Sequence, residues 1–132
     1  MQVKGVNHVN IIAVDLDKTV DFYEKVLGMR AAIRPMDSLE FKGCWISDHT
    51  GAPIIHIQAH NPERHGSLDE QCKSTGAIDH VALNCHGFEY IVNHCRQLGI
   101  DIRVNDRRYG DLRQVFVIDP NCVKLELNFL ED

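Results

Sequence analysis

The chain has 132 residues, 44% of them hydrophobic and 25% charged, with a formal net charge of −5. That length buries a core without disulfides or a structural metal, so a metal here would do chemistry rather than hold the fold. The acidic balance argues against nucleic acid and anionic membranes as partners, which demand a clustered basic face, and no run approaches the roughly eighteen apolar residues of a membrane span.

The start, MQVKGVNHVN, has neither the basic head nor the apolar run of a signal peptide. Five cysteines, Cys44, Cys72, Cys85, Cys95 and Cys122, are odd in number and form no CxxC pair, which reads as reduced thiols in a cytoplasm. Cys44, Cys72, Cys85 and Cys95 have no paired base at recognisable spacing and are assigned no catalytic role.

The first predicted element is a strand in GVNHVNI, Gly5 to Ile11. In VDLDKTVDFYEKVLGMR, Asp15 or Asp17 can cap a helix, Val20, Tyr23 and Leu27 recur at helical spacing, and Gly28 sits where a left-handed C-terminal residue belongs. This predicts a helix of about three turns. Strand-like stretches follow in RAAIRPM, LEFKGCWIS and, after the turn DHTGAP, in PIIHIQA.

The second half repeats the order: a strand in AIDHVAL, a helix from about Phe88 to Leu98 with Ile91, Cys95 and Leu98 on one stripe, Gly99 at its end, then DIRV, RQVFVID and VKLELNF. The reading is a duplicated β-α-β-β-β unit within a single domain spanning 1–132. Module 1 covers about 5–60 and module 2 about 77–130. The polar, turn-rich stretch of about 60–76 is the linker.

Successive residues of a strand point to opposite faces. In VKLELN the apolar set Val123, Leu125 and Leu127 must face the helices, leaving Lys124, Glu126 and Asn128 on the other side. The same parity sends Ile55 and Ile57 to the helices and His56 with Gln58 away from them. It also separates Val9, Ile11, Val81 and Leu83 from His8, Asn10, His80 and Ala82. Four strands thus offer His8, His56, His80 and Glu126 to a common concave face, and the duplication pairs them two by two. Three imidazoles and a carboxylate suit a divalent transition metal with positions open to water or substrate. His49, His60, His65, His86 and His94 lie in turns, in the linker or on a helix, and are expected to be exposed. Trp45 and Phe41 line the groove or fill the core, and core is the preferred reading.

NHVNIIAVDLDKTVDFYEKVLGM, IDHVALN and VFVIDPNCVKLELNF resemble the vicinal oxygen chelate superfamily of glyoxalases, fosfomycin and bleomycin resistance proteins, methylmalonyl-CoA epimerases and extradiol dioxygenases. The resemblance implies an α+β fold in which two tandem βαβββ modules form an incomplete barrel around a metal. It places ligands at His8, His56, His80 and Glu126, and it implies a homodimer. Two departures stand out. Glyoxalase I-like enzymes usually carry a carboxylate where this chain has His56, and the family's last turn usually has glycine where this chain has Cys122. Cys122 is therefore expected to take a positive φ at a steric cost.

The implied mechanism is bidentate chelation of neighbouring substrate oxygens by the metal, with Glu126 as the base. The leading expectation is a glyoxalase-like, metal-dependent lyase or isomerase acting on a small, oxygenated, anionic metabolite. Nickel, zinc, cobalt, manganese and iron(II) all accept this donor set. The anionic substrate is read from Arg103, Arg107, Arg108 and Arg113, with Lys124 beside Glu126. The alternative is a solvated basic loop balanced by Asp106 and Asp111, with Lys124 as an ion partner of Glu126. Three other functions stay open: an extradiol dioxygenase using His8, His80 and Glu126, though such enzymes usually carry tyrosine where this chain has Phe116; a thiol transferase of the fosfomycin-resistance kind; and a metal-free ligand-binding protein of the bleomycin-resistance kind.

Overall fold

The computed structural model describes residues 1–32, 42–67, 74–109 and 111–130, with backbone alone over 106–109. Phe41, Cys72 and the side chains of Arg107 and Arg108 lie outside the described residues. Two compact units divide the chain, Met1–Leu68 and Asp69–Asp132.

The first unit runs β1 (Val9–Ala13), α1 (Leu16–Asp21, widening into a π-helical stretch over Phe22–Val26), β2 (Arg30–Ala32), β3 (Gly43–Ser47), β4 (Pro53–Ala59) and a single-turn α2 (Pro62–His65). Its sheet has the order β1-β4-β3-β2, with β1 and β4 parallel and the other pairs antiparallel. Asp15 caps α1 by accepting from the Lys18 N–H at 3.0 Å. The stripe expected from Val20, Tyr23 and Leu27 is displaced. The buried residues are Thr19, Phe22, Tyr23 and Val26, because the widened turn brings two consecutive aromatics to the sheet where a regular helix would bring one. They cover Ile11, Ala13, Cys44, Ile46, Ile55 and Ile57, all buried. The linker is not wholly irregular: Asn61 accepts from the Glu63 N–H at 2.9 Å and Pro62 opens α2, both ordinary helix-start devices.

The second unit runs β5 (Val81–Asn84), α3 (Phe88–Leu98), β6 (Ile102–Tyr109), β7 (Leu112–Ile118) and β8 (Lys124–Leu130). Its sheet, β5-β8-β7-β6, repeats the topology of the first, with β5 and β8 parallel. The buried stripe of α3 is Phe88, Ile91, Val92 and Cys95, at i, i+3, i+4 and i+7. Leu98, expected on that stripe, is 48% exposed at the helix end. The helix lies over the face that carries buried Val115, Val117, Leu125, Leu127 and Phe129. Gly28 and Gly99 end the two helical segments with φ of +66° and +67°, the conformation that terminates helices without a Cβ penalty. Each sheet is an open four-stranded layer of an α+β fold with two βαβββ modules.

The turn between β7 and β8 is built on Asp119. Its Oδ1 accepts from the N–H groups of Asn121 and Val123, each at 2.8 Å. Cys122 closes the turn at φ +64°, the one non-glycine with positive φ among the described residues. Left-handed backbone costs an L-residue about 1–2 kcal/mol. Part of that gain is lost because glycine has more freedom in the unfolded chain. We therefore expect Cys122→Gly to raise stability by about 0.5–1 kcal/mol, read as a higher urea midpoint at unchanged slope.

Candidate metal centre

The second unit joins two of the four expected ligands. The β5 and β8 register sets Ala82 opposite Glu126, and His80, two residues before Ala82, reaches the same face from just ahead of the strand. His80 Nε2 lies 3.2 Å from Glu126 Oε2. His80 Nδ1 lies 2.8 Å from Asp79 Oδ2, which also receives Lys124 Nζ at 2.6 Å. Hydrogen bonds from His80 and then from Lys124 hold the Asp79 carboxyl below the usual carboxylate range. His80 thus has a carboxylate oxygen at each ring nitrogen, Asp79 at Nδ1 and Glu126 at Nε2.

Glu126 is held from the other side by amides that the sequence reading did not single out. Gln114 on β7 uses one Nε2 proton on Glu126 Oε1 at 2.9 Å and the other on Asn128 Oδ1 at 3.0 Å. Its own Oε1 accepts from Asn105 Nδ2 at 2.9 Å. Oε1 of the carboxylate is thereby fixed while Oε2 faces the imidazole. The signal was present, since Gln114 and Asn128 share the parity of Glu126, but a neutral amide on a polar face does not announce a ligand-orienting role.

In the first unit the corresponding pair is His8 and His56, with ring centroids 6.2 Å apart. His8, just ahead of β1, has its Nδ1 2.7 Å from Asn7 Oδ1, the counterpart of the His80 and Asp79 contact. His56 differs. Asn10, its register partner on β1, brings Nδ2 to 2.9 Å from His56 Nδ1. Trp45, its register partner on β3, stacks on the same ring at 4.3 Å and 5°, and meets His8 edge-on at 4.8 Å. Trp45 therefore lies on the histidine face and not in the apolar core. Among the described residues no three His, Cys, Asp or Glu side chains converge into a metal cage. Each unit brings together two of the expected ligands, and both the donor chemistry and the oriented imidazole of His80 fit a divalent metal.

The basic residues divide. Arg113 shares parity with Val115 and Val117, so it lies on the helix side, with its guanidinium 3.4 Å over the Phe88 ring and 2.8 Å from Glu89. It is apart from Glu126. Arg103, Phe116 and Glu126 form one register row, and Arg103 and Lys124 border a hollow of about 390 Å³ with Asp101, Ile102, Phe116 and Ile118. Three other histidines depart from the exposed expectation. His60 and His65 are half-buried with rings 5.6 Å apart, and His94 stacks on Tyr90 at 5.3 Å. Burial lowers the His65 imidazole first, aided by the Arg64 and His60 charges. Burial pushes the Cys85 thiol up to about 11 and raises Cys95, which keeps both protonated at neutral pH. No helix among the described residues is long and apolar enough to cross a membrane.

Comparison with known proteins matches this architecture. The Arabidopsis thaliana protein named Glyoxylase I 4 is 28% identical over 129 residues, covering 96% of this chain and 71% of that protein. A glyoxalase family protein from Bacillus anthracis superposes with a TM-score of 0.74 at 20% identity, covering 99% of this chain and 98% of that one. A mutant of the fosfomycin resistance protein FosX from Listeria monocytogenes, complexed with Mn(II) and 1S,2S-dihydroxypropylphosphonic acid, superposes at 0.69 and 19% identity, covering 98% and 95%. At these identities the two structures speak for the fold. The model of the Glyoxalase/Bleomycin resistance protein/Dioxygenase superfamily matches residues 5–127, and the chain belongs to that superfamily.

Proposed function

We propose that the protein is a metal-dependent lyase or isomerase of glyoxalase type, working on a small oxygenated anion. The observation that carries this reading is the pair of His80 Nε2 and Glu126 Oε2 at 3.2 Å, each group oriented by a partner on its far side, Asp79 and Gln114. Such oriented donors are what a metal ligand set needs, and a solvated surface pair has no use for them. His80 and Glu126 are the proposed ligands, and manganese, iron(II), cobalt, nickel and zinc all suit imidazole with carboxylate. When bound, a divalent metal supplies Lewis-acid polarisation to neighbouring substrate oxygens.

Glu126 is the proposed base. Gln114 holds Oε1, and Oε2, once released from a bound metal, would take a proton from the substrate carbon and return it elsewhere. Being only 14% exposed, the Glu126 side chain is kept from free exchange with bulk water. Arg103 and Lys124 offer positive charge at the hollow in the same sheet face, which supports a carboxylate, phosphonate or phosphate on the substrate. The FosX structure, with its phosphonic acid bearing neighbouring hydroxyls, favours the same class of ligand and keeps a thiol-transfer or hydrolytic variant as the second reading. The protein would work as a homodimer, as family members commonly do.

Elemental analysis of untagged protein should find about one divalent transition metal per chain, lost in His80→Ala and in Glu126→Ala; a metal-free protein that stays metal-free on reconstitution would sink the reading. Once a substrate is found among chelatable hydroxy acids, hemithioacetals and phosphonates, Glu126→Gln should lower kcat by about 10²–10⁴ with the melting temperature nearly unchanged. Near-normal turnover would remove Glu126 from the chemistry. Arg103→Ala and Lys124→Ala should each raise KM for the anionic substrate about tenfold and leave kcat within about threefold, the signature of lost uniform binding.

A further inference from the structure

Strand parity gives the hollow of the second unit an apolar floor between charged corners. Phe116 and Ile118, alternate residues of β7, point to the face that carries Glu126, and Ile118 is 53% exposed there. Arg103 on β6 opposes Phe116, and Lys124 on β8 opposes Ile118. With Asp101 and Ile102 these side chains border about 390 Å³, inside the range of roughly 300–1,000 Å³ that small-molecule sites occupy. Apolar surface rimmed by charged groups marks a place that a ligand covers.

The two cations of the hollow are engaged differently. Lys124 Nζ lies 2.6 Å from Asp79 Oδ2, so its charge is already answered within the unit. The Arg103 guanidinium lies over the Phe116 ring, 5.8 Å from its centroid, and makes no ion pair among the described residues. Such a group meets a carboxylate or phosphonate with two parallel N–H bonds. Asp101 is the acid of the hollow, and its charge favours a ligand with one anionic group over a ligand with two. Distance then sets the ligand's shape. Arg103 and Glu126 are two strand spacings apart, about 10 Å, with Phe116 between them. An anion held at Arg103 and a carbon within reach of Glu126 therefore belong to opposite ends of a molecule whose middle lies on Phe116 and Ile118.

We propose that the substrate is an amphipathic acid with one anionic group. Its carboxylate or phosphonate pairs with Arg103, its apolar segment covers Phe116 and Ile118, and its oxygenated carbon at the other end reaches Glu126. Arg103, Phe116 and Ile118 are then the specificity-determining residues. This rests on Glu126 being the base, and it narrows the substrate from any small oxygenated anion to one whose charge and reacting carbon are held apart. A compact hydroxy acid, with its charge next to the reacting carbon, cannot meet both ends.

The test titrates four probes into the full-length, metal-free protein, so that it is independent of metal loading: octanoate, propionate, octanol and suberate. Binding is followed by calorimetry and by the NMR signals of Arg103, Phe116 and Ile118. Octanoate should bind at least about tenfold tighter than propionate, which lacks the apolar segment, and than octanol, which lacks the charge. Arg103→Ala should weaken octanoate about tenfold and leave octanol within about twofold. Ile118→Ser, at an exposed position, and Phe116→Ala should each weaken octanoate and octanol alike by about threefold or more. Suberate carries a second carboxylate at its far end, against Glu126, so it should bind more weakly than octanoate, and the gap should narrow in Glu126→Gln. Equal affinity for octanoate and propionate, unchanged octanoate affinity in Arg103→Ala, a suberate gap indifferent to Glu126→Gln, or no binding of any probe would each overturn the proposal and leave the metal-dependent reading standing. A protein that meets these expectations and takes up no divalent metal supports the amphipathic acid and sinks the metal-dependent reading alone.

Discussion

A buried apolar face fixes the register of each sheet, and register in turn decides which polar side chains share the opposite face. Leu125 and Leu127 on β8, with Val115 and Val117 on β7, are at most 2% exposed beneath α3. Slipping β8 by one residue would carry Glu126 and Lys124 into that core and the leucines out of it. Burial of a leucine side chain is worth about 1.5–3 kcal/mol, and burial of an unpaired carboxylate costs several more. The placement of Glu126 on the open face is thus a consequence of packing, enforced by residues that take no part in chemistry.

On that face the sheet presents rows. Asn105, Gln114 and Asn128 make one row, and Arg103, Phe116 and Glu126 the next. In the first row Asn105 donates to Gln114, whose NH2 forks to Asn128 and to the Glu126 carboxylate of the next row. The second sets a guanidinium 5.8 Å from the Phe116 ring at one side of the sheet and the carboxylate nearer the other. An anionic group drawn to Arg103 or Lys124 would meet Phe116 beside it and Glu126 one strand over. Arg103 on β6 and Glu126 on β8 thus stand two strand spacings apart, about 10 Å, with Phe116 between them.

Alternation and duplication made the architecture and the face of each candidate residue readable from the sequence. His8, His56, His80, Glu126 and Lys124 were found by parity, and parity would also have put Arg113 on the helix side, where Glu89 and Phe88 hold it. The arginine cluster was read by proximity in sequence, which ignores that adjacent residues in a strand face opposite ways. The π-helical stretch over Phe22–Val26 was not readable, because a 3.6-residue period assumes a regular helix. Side-chain partners were the other gap. Asn7, Asn10, Asp79 and Gln114 are ordinary polar residues in a one-dimensional text, and only distances show that three of them meet a histidine ring nitrogen and the fourth the carboxylate.

Those partners are where the two units differ. Duplication supplied two copies of one frame: a histidine ahead of a parallel strand, and a polar side chain at the matching position of the partner strand. In one copy the partner strand offers Glu126, faced by Ala82 and tied back by Gln114. In the other it offers His56, faced by Asn10 and stacked on Trp45. A carboxylate can ligate through either oxygen, so fixing one leaves the other available. An imidazole has a single lone pair, so the partner that engages it decides whether the ring can ligate at all. What meets the ring at position 56 is therefore set in part by the side chain at position 10, on another strand and far away in the sequence.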